Sequence, residues 1–146
     1  MTDVTKPHEM QRSLREDVIV PGHEKRTESA EFRAAKERLK ADGHHVCYVC
    51  GSPDDIQIHH YGCEWSLAGD CDFDKLKAFL LKWDAYGYSN LLQHQPLSSV
   101  DDVRNMMALC REHHVQADTG IHEVSFPVWI IQLIETKRGI AIPEEK

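Results

Sequence analysis

The alternation of apolar and polar positions divides this chain into several short amphipathic elements. Near the N-terminus, Phe32, Ala35 and Leu39 recur at helical spacing, and the positions between them are mostly charged. Thr27 or Ser29 is suited to cap the start of such a helix, because a side-chain oxygen there can accept a backbone N–H of the first turn. The pattern therefore predicts one amphipathic helix that begins just after this cap.

The middle of the chain predicts two strands and a helix. The segment His44–Gly51 predicts a short strand that turns at two cysteines, and Ile56–Tyr61 alternates as a half-buried strand does. Further on, an amphipathic helix is predicted by four apolar residues at helical spacing, Leu76, Phe79, Leu80 and Trp83.

Two more helices are predicted near the C-terminus. A short one begins near Arg111, and a longer one begins at Pro127, a residue favoured in the first turn of a helix. The longer helix is apolar on most sides, so we expect it to pack into the core or against a partner. The sequence Lys137-Arg138-Gly139 is typical of a helix end.

Length and composition favour a single domain with a tail. The chain has 146 residues with 41% hydrophobic content, which suits one modest core. Residues 1–25 lack periodicity and are expected to be a flexible arm, and residues 26–146 are expected to form the domain.

No segment reaches the roughly 20 apolar residues of a membrane span, and the polar N-terminus does not resemble a secretory signal. The odd number of cysteines, five, favours zinc and a reducing, cytoplasmic location over a disulfide framework.

The net charge of −7 counts against nucleic-acid binding, because proteins that grip phosphates usually present a basic surface. The negative charge is concentrated in residues 54–102, which contain nine acidic residues and three lysines. The rest of the chain is close to neutral, so a local basic face is compatible with the sequence.

Cysteine and histidine spacing predicts a structural metal site. Two residues separate Cys47 from Cys50, and two separate Cys110 from His113. Each pair can offer two ligands to one ion, and three cysteines with one histidine form a closed tetrahedral zinc site.

Cys63 and Cys71 lie outside that pattern. They are either core thiols or part of a second site with His59 or a neighbouring histidine. The core interpretation is favoured because no second pair of ligands is visible in the sequence.

A second set of residues has the chemistry of a catalytic metal site. His114 and Asp118 are four residues apart, so on a helix they would project from one face and could hold one ion. His59 and His60 are adjacent on a predicted strand, so their side chains point to opposite faces. One can bind the ion while the other accepts a proton, since the histidine pKa lies near neutral pH.

These segments together resemble the HNH endonucleases, whose fold is the ββα-metal or His-Me finger. The resemblance rests on the residues Cys47-Tyr-Val-Cys50-Gly51, Ile58-His59-His60-Tyr61, and Asn105 with Leu109, Cys110 and His114. It covers the chain from Cys47 to His122. It implies an α+β fold in which a ββα-metal core carries a structural zinc knuckle, flanking helices and an acidic helical insertion at about 62–102.

The resemblance also implies a role for each residue. His60 would be the general base, and Asn105 would brace the loop that orients it. His59, His114 and Asp118 would hold a divalent catalytic ion, which could be Mg, Mn, Ni or Zn.

Two positions depart from the family pattern. His113 stands where a second cysteine is usual, which is conservative for zinc. Asp118 stands where histidine or asparagine is commoner, and a carboxylate there favours magnesium or manganese.

Candidate substrate contacts flank the metal motif. Arg104 and Arg111 are suited to contact phosphates, and His122 is a further candidate near the scissile phosphate. The predicted function is a metal-dependent HNH endonuclease that hydrolyses phosphodiester bonds in DNA, of the kind associated with phages or mobile elements.

Two other interpretations fit the sequence. One is a non-catalytic HNH-like zinc module that binds a protein partner, or mimics DNA, through its acidic insertion. The other is a purely structural zinc adaptor. RNA is an alternative substrate, and the apolar last helix offers a surface for dimerisation.

Overall fold

The computed structural model describes residues 4–23 and 25–136. Within these ranges the chain forms five α-helices and two strands: α1 (Ala30–Ala41), β1 (Ile56–His60), α2 (Phe73–Lys82), α3 (Tyr88–Leu91), β2 (Met106–Cys110), α4 (Arg111–Val115) and α5 (Phe126–Ile134). Two 3-10 segments lie at Trp65–Asp70 and Val103–Asn105. None of these helices is long and apolar enough to cross a bilayer. The α+β class expected from the sequence is confirmed.

A two-stranded antiparallel sheet lies at the centre of the fold. Ile56 of β1 pairs with Cys110 of β2, and His60 pairs with Met106. All five residues of β2 are buried, which agrees with their uninterrupted apolar sequence. Helix α4 begins directly after β2 and contacts both strands.

The two faces of the sheet pack against different parts of the chain. On one face, Met107 and Leu109 pack with Cys47 and with Trp129 of α5. A second cluster packs Met106 of β2 against Ala35 and Leu39 of α1 and against Tyr88 of α3. Full burial of an apolar side chain of this size contributes about 2 kcal/mol, so both clusters help fix the position of the sheet.

Side-chain caps begin two of the helices, and of the two residues suited to cap the first helix, Thr27 and Ser29, the structure uses Ser29. Ser29 caps α1, and its hydroxyl accepts a hydrogen bond from the N–H of Phe32 at 3.0 Å. Asp72 caps α2 and accepts from the N–H of Lys75 at 3.0 Å. The segment between the strands carries α2 and α3, and has its own apolar cluster of Leu76, Leu80 and Leu97.

The prediction of a strand over His44–Gly51 is wrong. This segment forms turns, because the N–H of Gly51 donates to the carbonyl of Cys47 and the N–H of Cys47 donates to the carbonyl of Ser52, both at 2.8 Å. The N–H of Tyr48 donates to Ala108 of β2 at 2.8 Å. That bond ties the turn to the sheet without extending it.

The ends of the chain differ in part from the prediction. Residues 4–23 form no helix or strand and are mostly exposed. Helix α5 begins one residue before Pro127 and buries Trp129 completely, whereas Ile134 is 64% exposed. The predicted helix end at 137–139 lies outside the described residues.

Candidate metal centres

Cys47, Cys50, Cys110 and His113 come together as the sequence predicts, and we call them the cysteine cluster. The sulfurs of Cys50 and Cys110 are 3.8 Å apart. Nδ1 of His113 lies 3.7 Å from the sulfur of Cys47 and 3.3 Å from that of Cys110. A tetrahedral zinc bound about 2.3 Å from each sulfur would separate two sulfurs by about 3.8 Å. The cysteine cluster could therefore hold a metal ion such as zinc.

Local backbone geometry supplies the two halves of this cluster. The turn after Cys47 is closed by Gly51 at φ 75°, a left-handed conformation that glycine adopts without strain. Cys110 ends β2 and His113 lies one turn into α4. The indole N–H of Trp129 donates to the carbonyl of His113 at 2.9 Å, so α5 fixes this helix against the cluster.

The thiols of the cysteine cluster differ in their acidity. Burial opposes ionisation of Cys47, but a hydrogen bond with His113 and bonds with backbone groups outweigh it and lower the pKa to about 6. Burial raises the pKa of Cys110 to about 12. The thiolate is the form that binds a metal, so the lowered pKa of Cys47 favours metal binding by this thiol.

A second group, the histidine cluster, is formed by His59, His114 and His122. Their ligand nitrogens all lie within 4.8 Å of one another. Nε2 of His114 is 3.1 Å from Nε2 of His122, and the ring of His59 lies 5.1 Å and 4.6 Å from these two rings between centroids. Two nitrogens bound about 2.1 Å from one ion would be about 3.0 to 3.4 Å apart. The histidine cluster could therefore hold a metal ion.

Hydrogen bonds orient two of these imidazoles. Nδ1 of His114 bonds to the side-chain oxygen of Gln57, so it carries the proton and leaves Nε2 free to bind. Nδ1 of His122 lies 3.5 Å from a carboxylate oxygen of Glu64. Partners of this kind fix the tautomer and orientation of metal-binding histidines. The motif analysis did not identify Gln57 or Glu64 as contributors.

Two imidazoles of the histidine cluster, those of His59 and His114, are neutral at pH 7. Burial and repulsion from the other imidazoles lower the pKa of His59 to about 3. Burial, His122 and Arg26 lower the pKa of His114 to about 4. Neutral imidazole is the form that binds a metal, so both rings are ready to bind without first losing a proton.

The prediction that Asp118 belongs with His59 and His114 is not confirmed, because His122 takes that position in the cluster. Helix α4 ends at Val115 and Gln116 is extended at ψ 142°. Asp118 therefore does not follow His114 by one helical turn.

A tight reversal after α4 brings His122 back to the cluster. The N–H of Ile121 donates to the carbonyl of His113 at 3.0 Å, and the N–H of His122 donates to that of His114 at 3.3 Å. A Cβ atom at Gly120 would lie 2.8 Å from the His114 carbonyl oxygen. A glycine at this position is therefore the feature of the sequence that could have indicated the reversal.

His60 lies on the side of β1 that packs against α1. Its Nε2 is 2.8 Å from one carboxylate oxygen of Asp101, whose other oxygen accepts a 2.7 Å hydrogen bond from Ser29. The ring is only 6% exposed and lies 5.4 Å from that of Phe32. Burial lowers the pKa of His60, although the Asp101 carboxylate acts in the opposite direction. Because Nε2 faces the carboxylate, Nδ1 is left as the proton acceptor.

A cavity of about 130 Å³ adjoins His60. Its walls are Arg26, Thr27, Glu28, Ser29, Phe32, His60, Trp65 and Asp101. The Arg26 guanidinium lies 5.9 Å from the centre of the Trp65 ring. The positive charge of Arg26 lowers the pKa of both His60 and His114, so it acts on residues from both sides of the sheet.

Asn105 is completely buried and joins the strands to the loop after His60. Its carbonyl oxygen accepts from the N–H groups of Gly62 and Cys63 at 2.9 Å and 3.1 Å. Its amide nitrogen donates to the carbonyls of Cys63 and Val100 at 2.9 Å and 2.8 Å. All the hydrogen-bonding capacity of the side-chain amide is used in holding this loop.

The prediction that Arg104 contacts phosphate is wrong. Its side chain is 2% exposed and forms a salt bridge with Asp102 at 2.8 Å. The remaining donors bond to the carbonyls of Leu92, Gln95 and Pro96. Arg104 therefore anchors the segment between the strands, whereas Arg111 is exposed and stays a prediction as a phosphate contact.

Comparison of this chain with protein-family models, curated proteins and solved structures gave no match. The geometry defines a small α+β protein in which residues 4–23 and 25–136 contain two clusters of side chains that could hold metal ions.

Proposed function

We propose that this protein is a metal-dependent endonuclease of the HNH type that hydrolyses phosphodiester bonds in DNA. The main support is the convergence of His59, from the first strand, with His114, from the helix that follows the second strand. The neighbouring His60 is hydrogen-bonded to a carboxylate, an arrangement suited to a general base. The order of these elements along the chain is the one that the motif resemblance implies.

The histidine cluster is the proposed working site. With the Asp118 carboxylate outside the cluster, three imidazoles remain, and they favour zinc, nickel or another transition ion over magnesium. A divalent ion there would stabilise negative charge on the phosphate and on the leaving oxygen. Three protein ligands leave a coordination position for substrate or water. The cysteine cluster, with four protein ligands, would hold the structural zinc.

Proton transfer is assigned to His60. Nδ1 would accept the proton of the attacking water, while Asp101 holds the ring and stabilises the imidazolium that forms. Ser29 keeps Asp101 in position through its hydrogen bond. Arg26 replaces Arg104 as the proposed phosphate contact, because it borders the cavity beside His60 and its charge also acts on His114.

A non-catalytic zinc module is the second candidate, and one observation favours it. His60 is 6% exposed and hydrogen-bonded to Asp101, so access of a substrate water to it is restricted, and the cavity beside it is the proposed path. If that path does not admit water, the same structure serves as a metal-stabilised scaffold. Its acidic insertion would then be the surface that a protein partner recognises.

Plasmid nicking with added Zn²⁺, Ni²⁺, Mn²⁺ or Mg²⁺ separates the two candidates. We expect the wild type to nick DNA and His60→Ala to lose about 100-fold or more of that rate, since general base catalysis contributes about 10² to 10⁴. The metal content should not change. The exposed His94 provides a matched control through His94→Ala, which should retain full activity.

Because His60 is buried, thermal melting of each variant is measured alongside, and His60→Gln provides a second, better-packed replacement. Full activity in a folded His60 variant would remove this residue from the base role. A wild-type protein that binds metal and cuts neither duplex nor single-stranded DNA would favour the zinc module.

A further inference from the structure

Cys63 and Cys71 remain unused by either metal cluster. Both are free and half-buried, and they lie on either side of the 3-10 segment Trp65–Asp70. Both pack against the apolar cluster of Leu76 and Leu80. The thiols of Cys47, Cys50 and Cys110 are instead gathered in the cysteine cluster, so the cysteines divide into two separate groups.

Local backbone structure explains how these two cysteines share one surface. The 3-10 segment contains two successive turns, closed by a hydrogen bond from Leu67 to Glu64 at 3.0 Å and one from Cys71 to Ala68 at 3.1 Å. Successive tight turns let the chain fold back over α2. The Cys71 side chain thereby comes close enough to Cys63 to contribute, after burial, to raising the pKa of that thiol to about 12.

We propose that Cys63 and Cys71 form a reversible disulfide, making this pair a thiol-oxidation site separate from the cysteine cluster. A low-molecular-weight disulfide such as oxidised glutathione is the oxidant. One cysteine attacks it as the thiolate and releases one glutathione thiol. The second cysteine then attacks the mixed disulfide and releases the other. The protein loses two electrons and two protons, and one glutathione disulfide becomes two thiols.

The disulfide would restrain a segment that reaches both candidate sites. The side chain of Asn105 accepts a hydrogen bond from the backbone N–H of Cys63 and donates one to the carbonyl of Cys63. The next residue, Glu64, lies against His122, and Trp65 borders the cavity beside His60. Oxidation would therefore fix the loop between the histidine cluster and His60. The proposal does not depend on the protein being a nuclease.

Thiol counting on the intact, zinc-supplemented protein tests this site. After incubation with oxidised glutathione, the protein is denatured with a chelator and its free thiols are titrated. We expect the wild type to fall from five thiols to three with no glutathione attached. In Cys63→Ser and Cys71→Ser the remaining cysteine of the pair can form only a mixed disulfide with glutathione, so each variant should keep at least three thiols, and intact mass should show any lost thiol as bound glutathione. A reductant should restore all five in the wild type. The melting temperature of the oxidised wild type should rise by about 5 °C, with no rise in either variant.

The two serine variants make the result decisive. Five free thiols in the treated wild type would overturn the proposal, as would a wild type that loses thiols only as bound glutathione. If the cysteine cluster does not hold zinc, its thiols will oxidise in the wild type and in both variants alike. The wild type alone would still lose two further thiols without binding glutathione, so the two claims fail separately.

Discussion

The two metal-binding candidates of this protein lie next to each other but have different chemistry. In the cysteine cluster, four ligands surround one point, and all but Cys50 are buried. In the histidine cluster, three imidazoles meet, and their burial decreases from His59 to the exposed His122. Adjacent residues, His113 and His114, are divided between the two clusters because successive residues of α4 project in different directions.

This difference in ligands implies a difference in function. Four ligands that include thiolates complete a tetrahedral coordination shell and leave no position for a substrate. Three histidines at an accessible edge leave at least one position open, which is the usual condition for metal-assisted hydrolysis. Loss of the first cluster should therefore affect folding, whereas loss of the second should affect metal-dependent activity alone.

The largest expected effect follows from Cys47→Ser. Zinc binding at such a site contributes directly to the free energy of folding in small domains. The sulfur of Cys47 contacts the ring of His113, and its side chain packs against the buried face of the sheet. We expect the variant to lose its zinc and its cooperative thermal transition. Circular dichroism melting and elemental analysis measure the two effects.

Cys63→Ser is the matched control for that change. It makes the same replacement at a cysteine outside the cluster and should leave the zinc content and a cooperative transition in place. A Cys47→Ser protein that melts like the wild type without bound metal would falsify the structural role of the cysteine cluster.

The next largest effect distinguishes two possible third ligands. His122→Ala should remove one ion per chain and weaken binding at the histidine cluster by more than about 100-fold, since even indirect partners of a metal ligand contribute about 10- to 100-fold. Asp118→Ala should leave the metal count unchanged, because Asp118 is not a member of the cluster. Titration calorimetry with Zn²⁺ measures both affinities.

Both variants should retain the thermal transition of the wild type, because the cysteine cluster is untouched. Loss of the ion in Asp118→Ala and its retention in His122→Ala would restore the ligand set expected from the sequence. The metal-bound protein would then have a different conformation from this structure in the residues that follow α4.

Residues close together in sequence were predicted well. The two ligand pairs, the cap at Ser29 and the strand predicted at Ile56–Tyr61 depend on local spacing. The structure contains both pairs and the cap, and it forms the strand over Ile56–His60. Strand β2 was harder to predict, since five consecutive apolar residues have no periodicity that separates a strand from a helix.

The remaining misses depend on contacts between distant parts of the chain. Asp101 is 41 residues from His60, and no local spacing indicates that pairing. Asp118 was placed by assuming that α4 continues, but a helix of five residues ends too soon. The sequence predicts that Arg104 contacts a phosphate, but its guanidinium donates to three backbone carbonyls. A sequence motif does not reveal such contacts.

The smallest effect comes from a residue that belongs to neither cluster. Asp102→Asn breaks the buried salt bridge to Arg104. Because Arg104 keeps its three carbonyl partners, the free energy of unfolding at pH 7 should fall by only about 2 kcal/mol, with both metal counts unchanged. Although burial acts in the opposite direction, hydrogen bonds from Arg104 lower the pKa of Asp102 below its ordinary 3.8. The stabilisation is therefore complete well above pH 3.8 and is lost as the pH falls through the lowered pKa.

Denaturant melts should show the wild type and variant converging below pH 3.8, while the exposed Asp70→Asn control stays close to the wild type throughout. A constant difference down to pH 2 would show that Asp102 contributes through packing and not through its charge.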